Sequence, residues 1–277
     1  MMTPPLDLAV EIRGQGRPLL CLHGHPGSGA AMRVFTDRLS QQFQTIAPDL
    51  RGYGQSRVRA PFVMADHLGD LEQLLAQQRI EQCFLLGWSL GGILALELAL
   101  RNPARYPAIA LIGTAARPRG AHPQVNALDL ACTGIAALLN QLRPGWPWNI
   151  ETFGARSLFR WLIHQQTSTP YRYLAQYGVA AYWRTSGPAT QALQAALSQG
   201  YDRLDDLNLL TMPCLMLAGE YDVHITAASS QETANRLPHC EWHCFANTAH
   251  LLPFEQPEQV NERLLGWFLA QAGRMSA

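Results

Sequence analysis

The stretch Gly87-Trp88-Ser89-Leu90-Gly91-Gly92 follows an apolar run at residues 83–86 and opens a helical pattern. A serine at a strand-to-helix turn needs small neighbours two positions away on each side, because the turn is tight and its backbone is strained. Gly87 and Gly91 meet that need. The turn lifts the hydroxyl above the sheet edge, and the helix N-terminus favours negative charge developing there. The stretch therefore predicts a nucleophilic Ser89; a serine that only caps the helix is the alternative.

Outward from this turn, short apolar runs alternate with helical spacing through the first 113 residues. The runs lie at residues 18–22, 45–47, 83–86 and 108–112, and the helical spacing lies at residues 30–43, 63–79 and 90–101. Runs this continuous are typical of strands that are buried on both faces. The repetition predicts an α/β fold, in which helices flank a mostly parallel sheet.

The rhythm changes after residue 114. Residues 115–208 show helical patterning without a good strand and hold nine of the chain's fifteen Trp and Tyr residues. Strand patterns return at residues 214–218 and 241–245, and an amphipathic helix is predicted at residues 256–271. We therefore predict a core made of residues 1–114 and 209–277, with a helical cap inserted at residues 115–208.

Two further side chains stand at predicted strand ends. Asp222 follows the strand at residues 214–218, and His250 follows the strand at residues 241–245. Loops leaving the carboxyl ends of parallel strands converge on one rim, and a serine hydroxyl needs a base and a group that orients the base. The pattern predicts that Ser89, Asp222 and His250 meet there. Glu220 is an alternative acid in the same loop.

Composition narrows the function classes. The 277 residues carry 21 Lys+Arg against 21 Asp+Glu, and all 21 cations are arginine. The even balance gives no electrostatic reason for a nucleic-acid or membrane partner, so we expect only a small-molecule substrate. Without lysine, the chain has neither a P-loop lysine nor a Schiff-base amine. Six scattered cysteines, no apolar stretch of membrane-spanning length, and residues 1–7 without leader features predict a cytoplasmic protein.

The segment His239-Cys240-Glu241-Trp242-His243-Cys244 invites a metal interpretation. With strand periodicity, His239, Glu241 and His243 point to one face, whereas the two cysteines point to the other with Trp242. No four-ligand set forms on one face, so we expect a strand and assign no metal.

Taken together, these motifs make the sequence resemble the α/β-hydrolase family, in its branch with a helical cap between the sixth and seventh strands. The resemblance covers nearly the whole chain outside the cap. It includes the serine turn, the Asp222 turn and the terminal His250, together with two loops, His23-Gly24-His25-Pro26-Gly27 and Pro48-Asp49-Leu50-Arg51-Gly52-Tyr53-Gly54-Gln55-Ser56.

The resemblance implies a role for each matched residue and no cofactor. Ser89 would be the nucleophile, His250 the general base and then acid, and Asp222 the carboxylate that fixes the histidine tautomer. The backbone N–H groups of His25 and Leu90 would form the oxyanion hole. The Trp88 side chain has a possible contact with substrate, although packing is its simpler role.

A serine nucleophile argues against the dehalogenase and epoxide-hydrolase branches, which attack with an aspartate. The leading hypothesis is a serine hydrolase that cleaves a small to medium, largely apolar ester, thioester, lactone or amide. Proline iminopeptidase-like, carbon–carbon hydrolase and cofactor-free perhydrolase activities share the motifs, and so does a ligand-binding protein without turnover. The cap contains only two acids between Arg117 and Gly200, Asp129 and Glu151, which weakens the aminopeptidase hypothesis.

Overall fold

The structure, a computed structural model, describes residues 4–276. Residues 1–3 belong to the amino-terminal segment that we judged to lack leader features, and they lie outside the described residues. So does residue 277, the last residue of the predicted core.

A seven-stranded sheet forms the centre of the molecule. Its strands are β1 (Val10–Arg13), β2 (Pro18–Leu22), β3 (Gln44–Pro48), β4 (Phe84–Trp88), β5 (Ile109–Ile112), β6 (Cys214–Gly219) and β7 (Cys240–Phe245). The spatial order is β1-β3-β2-β4-β5-β6-β7, and every neighbouring pair is parallel except β1 with β3. The predicted α/β class with a mostly parallel sheet is confirmed. The six strands expected from apolar runs all form.

Twelve helices accompany the sheet within the described residues. They are α1 (Arg33–Leu39), α2 (Asp66–Gln77), α3 (Leu90–Arg101), α4 (Ala127–Leu142), α5 (Pro147–Thr152), α6 (Phe159–Leu162), α7 (Ser168–Tyr173), α8 (Val179–Trp183), α9 (Gly187–Ser198), α10 (Ala227–Arg236), α11 (Leu252–Glu255) and α12 (Pro257–Ser276). The predicted helix at residues 30–43 is shorter, because a 3₁₀ turn at Gly29–Met32 precedes α1 and the chain leaves the helix after Leu39.

Both faces of the sheet are covered because strand side chains alternate and are apolar on both sides. On one face, Leu20 and Leu22 of β2 pack with residues of α2 and α3. On the other face, Leu19 and Cys21 pack with residues of α1 and α12, including Phe268. The sheet is therefore held between two helical layers, and its strand ends converge at one rim.

β1 was not predicted from the sequence. Its residues alternate as Val10-Glu11-Ile12-Arg13, and none of them is fully buried. β1 pairs antiparallel with β3 at the edge of the sheet. An edge strand of four residues lacks the continuous apolar run that marked the buried strands.

The segment between β5 and β6 is helical and runs from α4 to α9. A single π-helical stretch at Leu174–Gly178 joins α7 to α8. Ile150, Ile163, Tyr171 and Leu174 form a small apolar cluster of their own. From the resemblance we expected this insertion between a sixth and a seventh strand. The sheet of the described residues has seven strands in all, and the insertion lies between the fifth and the sixth, β5 and β6.

None of the helices within residues 4–276 combines the length and apolar character needed to cross a bilayer. All six cysteines are free thiols, and four of them are buried. The cytoplasmic location stays a prediction.

Candidate active site

Ser89 occupies the turn between β4 and α3 with a strained backbone. Its φ is 53° and its ψ is −116°, a region that side chains rarely adopt. A Cβ atom at position 87 would lie 2.4 Å from the Gly91 carbonyl oxygen, and one at position 91 would lie 2.0 Å from the Leu22 carbonyl oxygen. The turn therefore requires glycine on both sides of Ser89, as the sequence pattern indicated.

The structure brings Ser89, His250 and Asp222 together. The His250 Nε2 atom lies 3.1 Å from Ser89 Oγ, and His250 Nδ1 lies 2.8 Å from Asp222 Oδ2. Asp222 and His250 are buried, with 4% and 7% of their surfaces exposed. Three strands thus deliver three side chains to one point at the carboxyl rim of the sheet.

These two contacts favour one tautomer of His250. A carboxylate only accepts hydrogen bonds, so an imidazole with one ring proton would carry it on Nδ1, toward Asp222, and turn its Nε2 lone pair toward Ser89 Oγ. The other Asp222 oxygen, Oδ1, accepts from the backbone N–H groups of His224 and Ile225 at 2.8 and 3.0 Å. These donors fix the carboxylate, and the carboxylate in turn fixes the imidazole.

Glu220 lies outside this chain of hydrogen bonds. It is exposed, and its Oε2 atom accepts from the backbone N–H of Asn247 at 3.0 Å. The bond ties the loop after β6 to the loop after β7. Of the two acids considered from the sequence, Asp222 is the one in contact with His250.

The loop after β2 passes directly beside Ser89. A Cβ atom at Gly24 would lie 3.2 Å from Ser89 Cβ. His23 accepts the Leu50 N–H at Nε2 and donates from Nδ1 to the Gly24 carbonyl oxygen at 2.8 Å. Because a trans peptide holds C=O and N–H on opposite sides, the His25 N–H points away from the His23 ring. Burial lowers the pKa of His23 to about 4, so this ring is neutral.

Leu90 and Trp88 flank the serine. Leu90 is the first residue of α3, so its N–H belongs to the first turn of the helix. Trp88 is 5% exposed and packs edge-on against Phe35 and Phe254, with ring centroids 5.9 and 5.3 Å away. The Trp88 ring is part of the packed layer beneath the site.

Two side chains near the site were not identified from the sequence. Tyr53 Oη lies 2.9 Å from Nδ1 of His25, and the ring of His224 lies 5.1 Å from the ring of His250. Burial, followed by the nearby His250, lowers the pKa of His224 to about 3. His224 therefore adds no positive charge beside the hydrogen-bonded pair of His250 and Asp222. Tyr53 lies in the loop at residues 48–56 that was quoted above, but no local sequence pattern indicated its contact with His25.

The segment at residues 239–244 forms β7 from Cys240 onward. The Trp267 Nε1–H donates to Glu241, and Arg263 approaches His243 on the same side, whereas Cys240 and Trp242 pack with the opposite apolar cluster. This is the alternation expected of a strand. Within residues 4–276 no group of three or more His, Cys, Asp or Glu side chains is arranged to hold a metal ion.

Comparison with known proteins agrees with the geometry. Pimeloyl-[acyl-carrier protein] methyl ester esterases of Vibrio vulnificus (strain YJ016) and Nitrosomonas europaea are each 28% identical to this chain. The first comparison covers 94% of the chain and 98% of the relative, and the second covers 91% and 96%. A thermophilic esterase from Thermogutta terrifontis superposes with a TM-score of 0.70 at 25% identity, covering 95% of this chain and 93% of its own.

A family model described as "Alpha/beta hydrolase family" matches residues 19–263, which is most of the chain and includes every residue of the site. The resemblance stated from the sequence is thereby confirmed, and with it the hydrolase class. The chain belongs to the alpha/beta hydrolase family.

Proposed function

We propose that the protein is a serine esterase that cleaves a small to medium, largely apolar ester through an acyl-enzyme on Ser89. The observation that carries the proposal is the continuous chain of hydrogen bonds from Ser89 Oγ through His250 to Asp222. Such a chain converts a weakly nucleophilic hydroxyl into an effective attacking group.

The reaction follows from the proton positions. Ser89 Oγ attacks the ester carbonyl carbon while His250 Nε2 takes the hydroxyl proton. His250 then gives this proton to the alkoxide oxygen, and the C–O bond breaks to release the alcohol. A water molecule, deprotonated by His250, attacks the acyl carbon and frees the acid from Ser89. Asp222 stabilises the imidazolium that forms in both halves without taking its proton.

The negative oxygen of each tetrahedral intermediate needs donors that are already in place. We assign this role to the backbone N–H groups of His25 and Leu90. The close passage of the Gly24–His25 loop beside Ser89 and the position of Leu90 at the start of α3 support the assignment. Loss of one such donor typically costs about 10²- to 10³-fold in rate.

We assign residues 115–208 as a cap over the serine. The segment is tethered on both sides of β4: Ser186 N–H donates to the Gly52 carbonyl at 2.8 Å, and Leu251 N–H donates to the Leu162 carbonyl at 2.9 Å. Gly52 follows β3 and Leu251 follows β7, while β4 lies between those strands in the sheet. The cap therefore crosses above the rim that presents Ser89.

The substrate class rests on the relatives and on the cap. The relatives named above act on the methyl ester of a pimeloyl group, so we propose a methyl or other short-alcohol ester of an acyl chain. Tyr173 stacks on Phe254 with ring centroids 5.1 Å apart, so the aromatic side chains of the cap pack close to the loop that carries His250. A cap rich in aromatic side chains suits a largely apolar acyl group.

The aminopeptidase alternative gains no support from Asp129, one of the two acids between Arg117 and Gly200. Asp129 pairs with Arg160 at 2.8 Å and accepts the Asn126 N–H at the start of α4. Its carboxylate is therefore already neutralised by contacts within the cap. An aminopeptidase needs a free acid to bind the substrate ammonium group, and Glu151 is the only other acid between Arg117 and Gly200.

The decisive experiment labels the protein with a fluorophosphonate probe and identifies the modified peptide. We expect modification at Ser89, no labelling of Ser89→Ala, and normal labelling of the exposed control Ser198→Ala. Turnover is measured with p-nitrophenyl esters of increasing acyl length, dimethyl pimelate and a prolyl arylamide.

The outcomes separate the candidate functions. Ester cleavage that disappears in Ser89→Ala supports the proposal. Preference for the prolyl arylamide would instead identify an aminopeptidase, and a folded wild-type protein that neither labels nor turns over would identify a binding protein. Labelling that persists in Ser89→Ala would place the nucleophile elsewhere.

A further inference from the structure

We infer that Glu255 is a positioning residue, which latches the cap to the loop carrying His250 and so holds the imidazole against Ser89. The inference rests on the proposed function of that site. Glu255 ends the short helix α11, which begins two residues after His250, and only 6% of its surface is exposed.

The Glu255 carboxylate joins the two parts of the molecule through three backbone donors. Its Oε1 atom accepts the N–H of Ala249, the residue before His250, at 2.6 Å. Its Oε2 atom accepts the N–H groups of His164 and Gln165 in the cap at 2.8 and 2.6 Å. One buried side chain therefore spans the boundary between the catalytic loop and the cap.

The residue on the other side of His250 is tied to the same cap segment. Leu251 N–H donates to the Leu162 carbonyl at 2.9 Å, so both chain neighbours of His250 are anchored to residues 162–165. The Gln165 side chain adds a bond from Nε2 to the Asn247 carbonyl at 3.0 Å. His250 thus sits in a loop whose backbone is held from the cap.

A contact between two rings also joins the cap to the core. His164 stacks on Tyr221, the residue before Asp222, with centroids 3.9 Å apart and planes 6° from parallel. The cap segment therefore touches the loop of the acid as well as the loop of the base. A displacement of residues 162–165 would disturb both the imidazole and the carboxylate that orients it.

The three hydrogen bonds of Glu255 require a carboxylate at this position. Three N–H groups converge on it, and an ionised carboxylate offers only acceptors. Burial raises the pKa of Glu255, and the three N–H donors oppose that shift by stabilising the charged form. A glutamine would turn its NH₂ group toward either Ala249 or the cap donors, so at least one buried N–H would lose its acceptor.

The test compares Glu255→Gln with Glu262→Gln, which removes the same charge from an exposed position on α12. Each protein is labelled with the fluorophosphonate probe to completion, and the rate and the final amplitude are recorded separately. kcat and KM are measured with a p-nitrophenyl ester.

A positioning role predicts full amplitude with a rate and kcat about 10- to 100-fold lower in Glu255→Gln, and KM within twofold of wild type. Glu262→Gln is expected to match wild type in every value. A purely structural role would reduce the labelled fraction and leave the rate per active site unchanged, and that result would overturn the inference. So would a Glu255→Gln protein that behaves like wild type.

A second measurement does not depend on turnover. The Nδ1–H proton of His250, assigned by its absence in His250→Asn, is followed by NMR. We expect this resonance to broaden or disappear in Glu255→Gln and to persist in Glu262→Gln. An unchanged resonance would refute the latch even if the wild type proved inactive, whereas an inactive wild type whose resonance is lost in Glu255→Gln would refute only the proposed function.

Discussion

His224 lies against His250, with ring centroids 5.1 Å apart, and its backbone N–H donates to the Asp222 oxygen that His250 does not use. Burial lowers the pKa of His224 to about 3, so the ring is neutral when His250 must accept a proton. His224 therefore places no net charge beside the His250 imidazole at neutral pH.

A fixed cation at position 224 is expected to weaken the base. In His224→Arg the acidic limb of the kcat/KM profile should move to lower pH by about one unit, since a like charge at this distance disfavours imidazolium. The maximum rate should also fall. His224→Gln is the neutral control and should leave the limb in place; an equal displacement in both variants would contradict the electrostatic explanation.

Replacement of Asp222 distinguishes the two acids of the loop after β6. Asp222→Asn would donate to Nδ1 and force the wrong tautomer on His250, so we expect kcat to fall by about 10³- to 10⁴-fold. Glu220→Gln should leave kcat within twofold, because Glu220 is exposed and its hydrogen bond goes to the Asn247 N–H and not to His250. Steady-state kinetics with a p-nitrophenyl ester checks both, and a larger loss in Glu220→Gln would reverse the assignment.

The serine turn should not tolerate a methyl group. Gly91→Ala would place Cβ 2.0 Å from the Leu22 carbonyl oxygen, and we expect it to lower the free energy of unfolding by about 3 kcal/mol or more. Gly134→Ala is the matched control, since nothing lies within 4 Å of the new atom on α4. There we expect a gain of about 0.5–1 kcal/mol from the better helix former. Urea denaturation measures both.

Stability should decline in mild acid because buried imidazoles resist protonation. Burial lowers the pKa of three histidines from an ordinary value of 6.5: His23 to about 4, and His67 and His224 to about 3. Between pH 6.5 and about 4 the unfolded chain therefore binds about three more protons at these residues than the folded chain does. The stabilising contribution is complete above pH 6.5 and is lost as the pH falls, with a slope approaching about 4 kcal/mol per pH unit near pH 5.

The substitution His67→Leu removes the contribution of one of these imidazoles to the pH dependence of stability. Both ring nitrogens of His67 are buried without a hydrogen-bond partner among the described residues, so an apolar side chain of similar volume forfeits no described bond. Urea denaturation at pH 7, 6 and 5 should show a slope smaller than that of wild type by about 1.4 kcal/mol per pH unit. The exposed His239→Gln control should keep the full slope, and an unchanged slope in His67→Leu would contradict the explanation.

Local patterns predicted most of the architecture. β2 to β6 follow from apolar runs and β7 from its strand periodicity, and α3 occupies the residues expected from its spacing. β1 was not predicted because a half-exposed edge strand of four residues has no continuous apolar run. The helix expected at residues 30–43 ends early because 3.6-residue periodicity does not mark where a helix stops.

Periodicity and turn chemistry are properties of neighbouring residues, so the sequence by itself determined the sheet class, the serine turn and the placement of Asp222 and His250 at strand ends. Tertiary structure alone decided which acid contacts His250, which ring lies beside it, and that the carboxylate of Glu255 joins residues 164–165 to the loop of His250. Those contacts link residues far apart in the chain. They depend on the order of the strands in the sheet and on where the helical segment between β5 and β6 lies against it, which no local pattern encodes.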